Sequence, residues 1–283
     1  MTRLTLKELL ANKVRLLLTS IAILLGVGFV SGSFVLGDTL NATFDEVFDD
    51  AFEGTEVIVR SSDDISDLQR PPISESLLPT VEGVDGVEAA AGEVGTSGVV
   101  PVKSNGNPVE TTGAPRFGFS WTEDPVLNSF EIDEGRPPEG PGEVVLDKTT
   151  FDDEGFELGE RIGVITQQPL REFELVGSAS FGEENNLGGA VASLFALETA
   201  QRLFDKENEF DTISVRASDG VTTDELIVRI QAVLPEGVEA VSGQSVANEQ
   251  ADEIQSQLSF LTIALQVFAF IAVFVAAFII FNT

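Results

Sequence analysis

Cysteine, histidine and tyrosine are absent from this chain, and tryptophan occurs once, at Trp121. Without cysteine there is no disulfide, no lipoprotein anchor and no thiol nucleophile. Without histidine as well, zinc sites built on nitrogen and sulfur ligands and Ser-His-Asp catalysis are both excluded. No G-x-x-x-x-G-K-[ST] run is present, so the chain binds no nucleotide through a P-loop, and no D-x-[DN]-x-[DN]-G loop offers a calcium site. Acids are too numerous for a carboxylate pair to be excluded by counting, but one Trp and no Tyr equip a sugar cleft poorly. We therefore expect no enzyme activity and no catalytic, cofactor-binding or metal-ligating residue on this chain.

Basic residues are also scarce: 16 Lys and Arg stand against 47 Asp and Glu. Charge is missing altogether from two apolar stretches, Leu16–Gly37 and Leu258–Phe281. As helices, both are long enough to cross a hydrocarbon core roughly 30 Å thick. Arg3, Lys7, Lys13 and Arg15 precede the first stretch with one acid, Glu8, whereas Asp38, Asp45, Glu46, Asp49, Asp50 and Glu53 follow it. Basic flanks stay in the cytoplasm, so the N-terminus is expected there and the segment between the stretches on the far side. A cleaved signal peptide is the rival reading; the apolar run exceeds the roughly 7–15 residues of a signal core.

Four bases and one acid lie before the first stretch, which leaves 12 bases against 46 acids, a net of −34, for the outer segment. Such a field repels nucleic acid and anionic head groups, so no nucleic-acid partner is expected. The acidity reads first as solubility in a high-ionic-strength exterior.

The organisation follows from these breaks. Residues 1–15 read as a cytoplasmic amphipathic helix, with Thr5 and Glu8 as a capping box, or as a plain basic flank. Residues 16–37 form the first membrane helix, in which Gly28 and Gly32 make a G-x-x-x-G suited to helix–helix packing. Residues 38–53 continue as a stalk, with Phe44, Phe48 and Phe52 at intervals of four between acids. Residues 242–257 form a second polar stalk, residues 258–281 the second membrane helix, and residues 282–283 begin a cytoplasmic segment. Gln266 is the strongly polar side chain inside the second stretch, and reads as a bond to a neighbouring helix.

Between the stalks, residues 54–241 read as one α+β extracytoplasmic domain. Strands are expected at Thr55–Arg60, Glu143–Leu146, Arg161–Thr166, Phe173–Val176 and Thr212–Ala217. Val99–Val102 and Val109–Thr112 flank Asn105-Gly106 as a hairpin, and Gly135–Gly142 is a rigid turn. Helices are expected over Ile73–Val84, interrupted at Pro79, over Leu194–Phe204, and over Thr223–Leu234, capped by Thr222 or Thr223. Two segments repeat: Val57-Ile58-Val59-Arg60 leads through a helix to Gly86-Val87-Glu88-Ala89, and Ile213-Ser214-Val215-Arg216 leads through a helix to Gly237-Val238-Glu239-Ala240. Either this is chance similarity, or two β-α-β units pack as one lobe with a β-rich lobe inserted at about 103–175.

The N-terminal run LTLKELLANKVRLLLTSIAILLGV, the stretch GEVVLDKTTFDDEGFELGERIGV at 142–164 and Phe173-Glu174-Leu175-Val176-Gly177 together resemble the FtsX/MacB-type ABC transporter permease family. The resemblance covers essentially the whole chain. It implies a permease subunit in the cell membrane that pairs with a second permease copy and a separate cytoplasmic ATP-binding cassette ATPase. Such a subunit passes ATP-driven motion to the outer domain for export, lipid or lipoprotein handling, or control of cell-wall enzymes. The family carries further spans after the second, so the chain is expected to be a fragment. The alternative is a membrane-anchored ligand-binding or sensor module without transport.

Overall fold

The computed structural model describes residues 13–52, 54–63, 70–111, 113–182, 187 and 189–282. The expected capping box at Thr5 and Glu8 lies outside them, as do the side chains of Phe44, Phe48 and Gln266. The described chain divides into two units, one of residues 1–44 and 251–283, the other of residues 45–250.

A single helix, α1 (Lys13–Ala51), contains the first apolar stretch and the phenylalanine-acid repeat as far as Asp50, with Phe52 in the turn beyond it. After a turn come β1 (Val57–Ser61) and the short β2 (Ile73–Ser74), then a 3₁₀ turn over Glu75–Leu77 and α2 (Leu78–Glu82). The helix expected over Ile73–Val84 is thus half as long as its pattern. Pro79 does not interrupt it but opens it, because a residue with no N–H is tolerated in the first turn.

Next are β3 (Val87–Glu93), β4 (Gly95–Ser97), β5 (Val100–Val102), β6 (Arg116–Ser120) and β7 (Phe130–Gly135). The Asn105-Gly106 turn forms, with Lys103 N–H donating to Asn107 O at 2.8 Å, but its second arm makes one bridge, Val102 to Pro108, rather than a strand. Beyond the irregular 136–142 turn lie β8 (Glu143–Asp147), α3 (Lys148–Glu154), β9 (Arg161–Ile165) and β10 (Arg171–Phe181).

β11 (Val191–Phe195) precedes α4 (Leu197–Leu203). Leu194 and Phe195, expected in a helix, therefore end a fully buried strand; a short continuous apolar run has no period to separate the two. The chain closes with β12 (Glu209–Phe210), β13 (Thr212–Ala217), α5 (Thr223–Gln231), β14 (Val238–Ser242) and the long α6 (Gly243–Asn282). Thr222 caps α5, its hydroxyl accepting from Glu225 N–H at 3.4 Å.

Within residues 45–250 the strands form two larger sheets and a two-stranded pairing of β12 with β2. The first has the order β14-β1-β13-β3. Each repeated β-α-β unit has its two strands split by the other unit's first strand, the split β-α-β arrangement. Val57, Val59, Ile213, Val215 and Ala240 pack on Val81 of α2 and on Leu226 and Ile230 of α5.

The second sheet has the order β4-β6-β11-β8-β10-β9-β5, with β7 also along β10. Its strands come from residues 95–195, a longer stretch than the 103–175 expected. On one face, Val144, Leu146, Phe173, Leu175 and Phe195 join α3 and α4 in the same core that serves the first sheet. On the other, Val145, Val176, Ala179 and Leu194 lie under Phe119, Trp121, Phe130 and Ile132.

Of the described side chains in the unit of residues 1–44 and 251–283, Leu24, Val27, Phe34, Phe268, Phe270 and Phe274 are all more than half exposed. Among the described residues, no helix is long and apolar enough to cross a membrane; many side chains of both apolar stretches fall outside the description.

Candidate functional site

The sequence repeat builds a charged cluster. Each unit's first strand carries an arginine, Arg60 or Arg216, and each unit's second strand carries a glutamate, Glu88 or Glu239. Because the units interleave, each arginine meets the other unit's glutamate. Arg60 Nε donates to Glu239 Oε1 at 2.9 Å, and Arg216 Nε lies 3.4 Å from Glu88 Oε2. This reciprocity follows from antiparallel register, which sets Arg60 opposite Glu239 and Arg216 opposite Ala89. The two repeated segments thus take equivalent places in one sheet.

One of the two pairs is elaborated. Glu249, in the first turns of α6, accepts Arg60 Nη2 at 2.7 Å and Arg70 Nη2 at 3.0 Å. Arg70 also donates to Ser61 O at 3.0 Å. Two guanidinium groups and two carboxylates thus join β1, β14 and α6, with the Arg60 side chain only 11 % exposed. Desolvation pushes the Glu249 carboxyl up, but the bonded Arg60 and the nearby Arg70 outweigh it and hold the group below the usual carboxylate value.

Backbone bonds complete this attachment of α6. Ser242 Oγ accepts from Ser245 N–H at 3.1 Å, the N-cap position, and Gly243 N–H donates to Glu56 O at 3.1 Å. A side chain at Gly243 would strike the Thr55 carbonyl. Val246 and Ala247 are buried.

The last turn of α1 is held differently. Ser129 Oγ donates to Ala51 O at 2.8 Å, satisfying a carbonyl that a helix end leaves open. Asp50 lies against Gly182, whose φ of 59° and lack of a side chain admit it. Ser129 and Gly182 flank strands of the second sheet, whereas Arg60 and Glu239 belong to the first and Gly243 directly follows its strand β14. A cavity of about 200 Å³ is lined by Phe52, Thr55, Glu56, Thr223, Ser242, Gln244 and Ala247.

Among the described residues, nothing lies within 4 Å of where a Cβ would stand on Gly28 or Gly32, the residues read for helix packing. Among the described residues, no group of carboxylates is arranged to hold a metal ion. Sequence reasoning quoted Arg60, Arg216, Glu88 and Glu239 within the repeat but missed their pairing. The signal was there: in so base-poor a chain, both repeats carry an arginine next to last in their first strand.

A family model described as the MacB-like periplasmic core domain matches residues 16–233. Among solved structures, the periplasmic region of MacB from Actinobacillus actinomycetemcomitans superposes with a TM-score of 0.51 at 16 % identity, covering 70 % of this chain and 94 % of that one. The extracellular domain of the noncanonic ABC-type transporter YknZ from Gram-positive bacteria gives a TM-score of 0.46 at 14 % identity, covering 66 % and 98 %. No curated protein sequence matches the chain.

Proposed function

The chain belongs to the family of the MacB-like periplasmic core domain, and on that premise we propose that it is the membrane subunit of an ABC transporter of the FtsX/MacB type. In this reading residues 45–250 lie outside the cytoplasm, and the apolar parts of α1 and α6 cross the cell membrane. The exposed Leu24, Val27, Phe34, Phe268, Phe270 and Phe274 support it, because such apolar surface is stable against lipid and not against water. The basic residues before Leu16 and the acids after Gly37 support the orientation. Neither stretch carries a charged residue that could form an ion relay, which favours mechanical transmission over passage of a polar solute.

The observation that carries the mechanism is Glu249. It sits near the start of α6, is clamped by Arg60 and Arg70, and belongs to the same continuous helix as the second apolar stretch. A displacement of that helix pulls on β1 and β14 directly. ATP is bound and hydrolysed by a separate cytoplasmic ATPase, the chain pairs with a second permease copy, and no catalytic step falls to this polypeptide.

Purification from its own cells in mild detergent tests this. An ATP-binding cassette ATPase should be retained, and its hydrolysis should be stimulated by the permease. Purification with no ATP-hydrolysing partner would contradict the reading and favour an anchored binding or sensor module.

A further inference from the structure

The first sheet ends in two edges, one built by each repeat, and the repeats finish them differently. β14 is one edge and β3 the other. On β14 the side chain of Gln231, the last residue of α5, takes the place of a further strand. Its Nε2 donates to Val238 O at 3.2 Å, and its Oε1 accepts from Ala240 N–H at 2.9 Å. That amide satisfies outward backbone groups and blocks the edge.

The other repeat has no such cap. Gln231 stands six residues before Gly237, and six residues before Gly86 stands Thr80, whose short side chain offers one hydroxyl. β3 bulges once: Ala217 faces Val87 and Arg216 faces Ala89, so Glu88 is the extra residue. From Ala89 to Glu93 the pairing with β13 is regular. Among the described residues, the backbone of Ala89–Gly92 bonds nothing outside β13. Its outward N–H and C=O groups are a template for another strand, and three alanines and a glycine set neither charge, proline nor bulk in the way.

We propose that this open edge pairs antiparallel with β3 of a second copy of the chain, about a two-fold axis at Ala91, so that two first sheets become one continuous sheet. A two-fold contact must be self-complementary. An axis at Ala91, midway along the regular stretch, sets Ala89 opposite Glu93 and Ala90 opposite Gly92, and no acid faces an acid. The acids beside the edge also suit a copy of like charge. Arg216 lies 3.4 Å from Glu88 and Arg229 3.3 Å from Asp85, which leaves Glu82 exposed at the end of α2. A basic foreign strand would be met by free acids instead. So short a seam buries too little area to hold two free molecules, and confinement of both chains to one membrane brings the edges together. This surface serves the pairing with a second permease copy proposed above; it rests on that pairing and not on the ATPase.

The absence of cysteine makes the test clean. Opposed residues of paired strands stand about 4.5–5.5 Å apart at Cα, within reach of a disulfide. In membranes holding the full chain, mild oxidation should therefore link two copies of Ala91→Cys. Ala89→Cys, which faces Glu93 of the other copy, should not link. A yield at Ala91→Cys no higher than at Val228→Cys, 70 % exposed on α5, would overturn the proposal. Hydrogen exchange on the unsubstituted chain in mild detergent serves if the variant folds poorly. In a lone chain alternate amides of Ala89–Gly92 have no acceptor, whereas pairing gives every one a partner. All should be protected alike; alternate amides exchanging about tenfold or more faster than their neighbours would overturn it. Protection without the crosslink would assign the edge to a foreign strand and overturn the second copy as its occupant. An ATPase retained without the crosslink sinks this inference alone, and the crosslink without an ATPase sinks the transporter reading alone.

Discussion

Arg60 with Glu239, and Arg216 with Glu88, are the same pair made twice by one repeated motif, yet they do different work. The second pair is half open to solvent, with side chains 34 % and 47 % exposed, and makes no further ion pair among the described residues. The first is more buried and has recruited Arg70 and the α6 residue Glu249. A duplicated unit thus becomes asymmetric where a long helix is attached to it. Motif alone does not identify a coupling residue; the third element that meets it does.

The largest effect expected from breaking this asymmetry is at Arg60. Arg60→Ala leaves the half-buried Glu239 and the exposed Glu249 with one cation between them, and should lower unfolding stability by about 2–3 kcal/mol in denaturant titration after solvent screening. It should also raise exchange of the amides in the first turns of α6. Gly243→Val tests the steric half of the same attachment, and should cost about 2 kcal/mol through the clash with the Thr55 carbonyl.

Glu143 sharpens the comparison, because it is a strong ion-pair site away from either helix. Its carboxylate accepts Arg136 Nη1 at 2.9 Å and the N–H groups of Glu139 and Gly140 at 2.8 and 2.9 Å. Arg136 above all, opposed by desolvation and helped by those backbone bonds, lowers its pKa from 4.5 to about 2. A depressed carboxylate contributes stability that is present above 4.5 and lost as pH falls toward 2. Glu143→Gln should therefore cost about 1 kcal/mol at neutral pH after solvent screening. The difference should vanish near pH 2, and α6 exchange should not change. The smallest effect is expected at Arg216→Ala, no more than about 0.5 kcal/mol, since exposed pairs contribute little. Equal losses at Arg60 and Arg216 would remove the distinction drawn between the pairs.

How much of this was legible in sequence varies between the two sheets. Thr212–Ala217 and the α5 cap were readable because β-branched alternation and a Thr-x-x-Glu spacing act locally. The repeat was visible because both copies keep strand, helix and G-V-E-A. The second sheet was harder. β6 carries Gly118 at its centre, set against Val99 and Phe204, and reads as a loop. β11 is buried on both faces and has no period. The charged cluster is legible as residues but not as a site, because Glu249 and Arg60 are far apart in the chain and meet only through the interleaved topology.

The central claim is that the acidic domain stands outside the cell membrane with α1 and α6 threading it. Single cysteines in this otherwise cysteine-free chain test it most directly. In intact cells a membrane-impermeant maleimide should label Asp153→Cys fully and Lys13→Cys only after the membrane is opened. Labelling of Lys13→Cys in intact cells, with Asp153→Cys protected, would contradict the account.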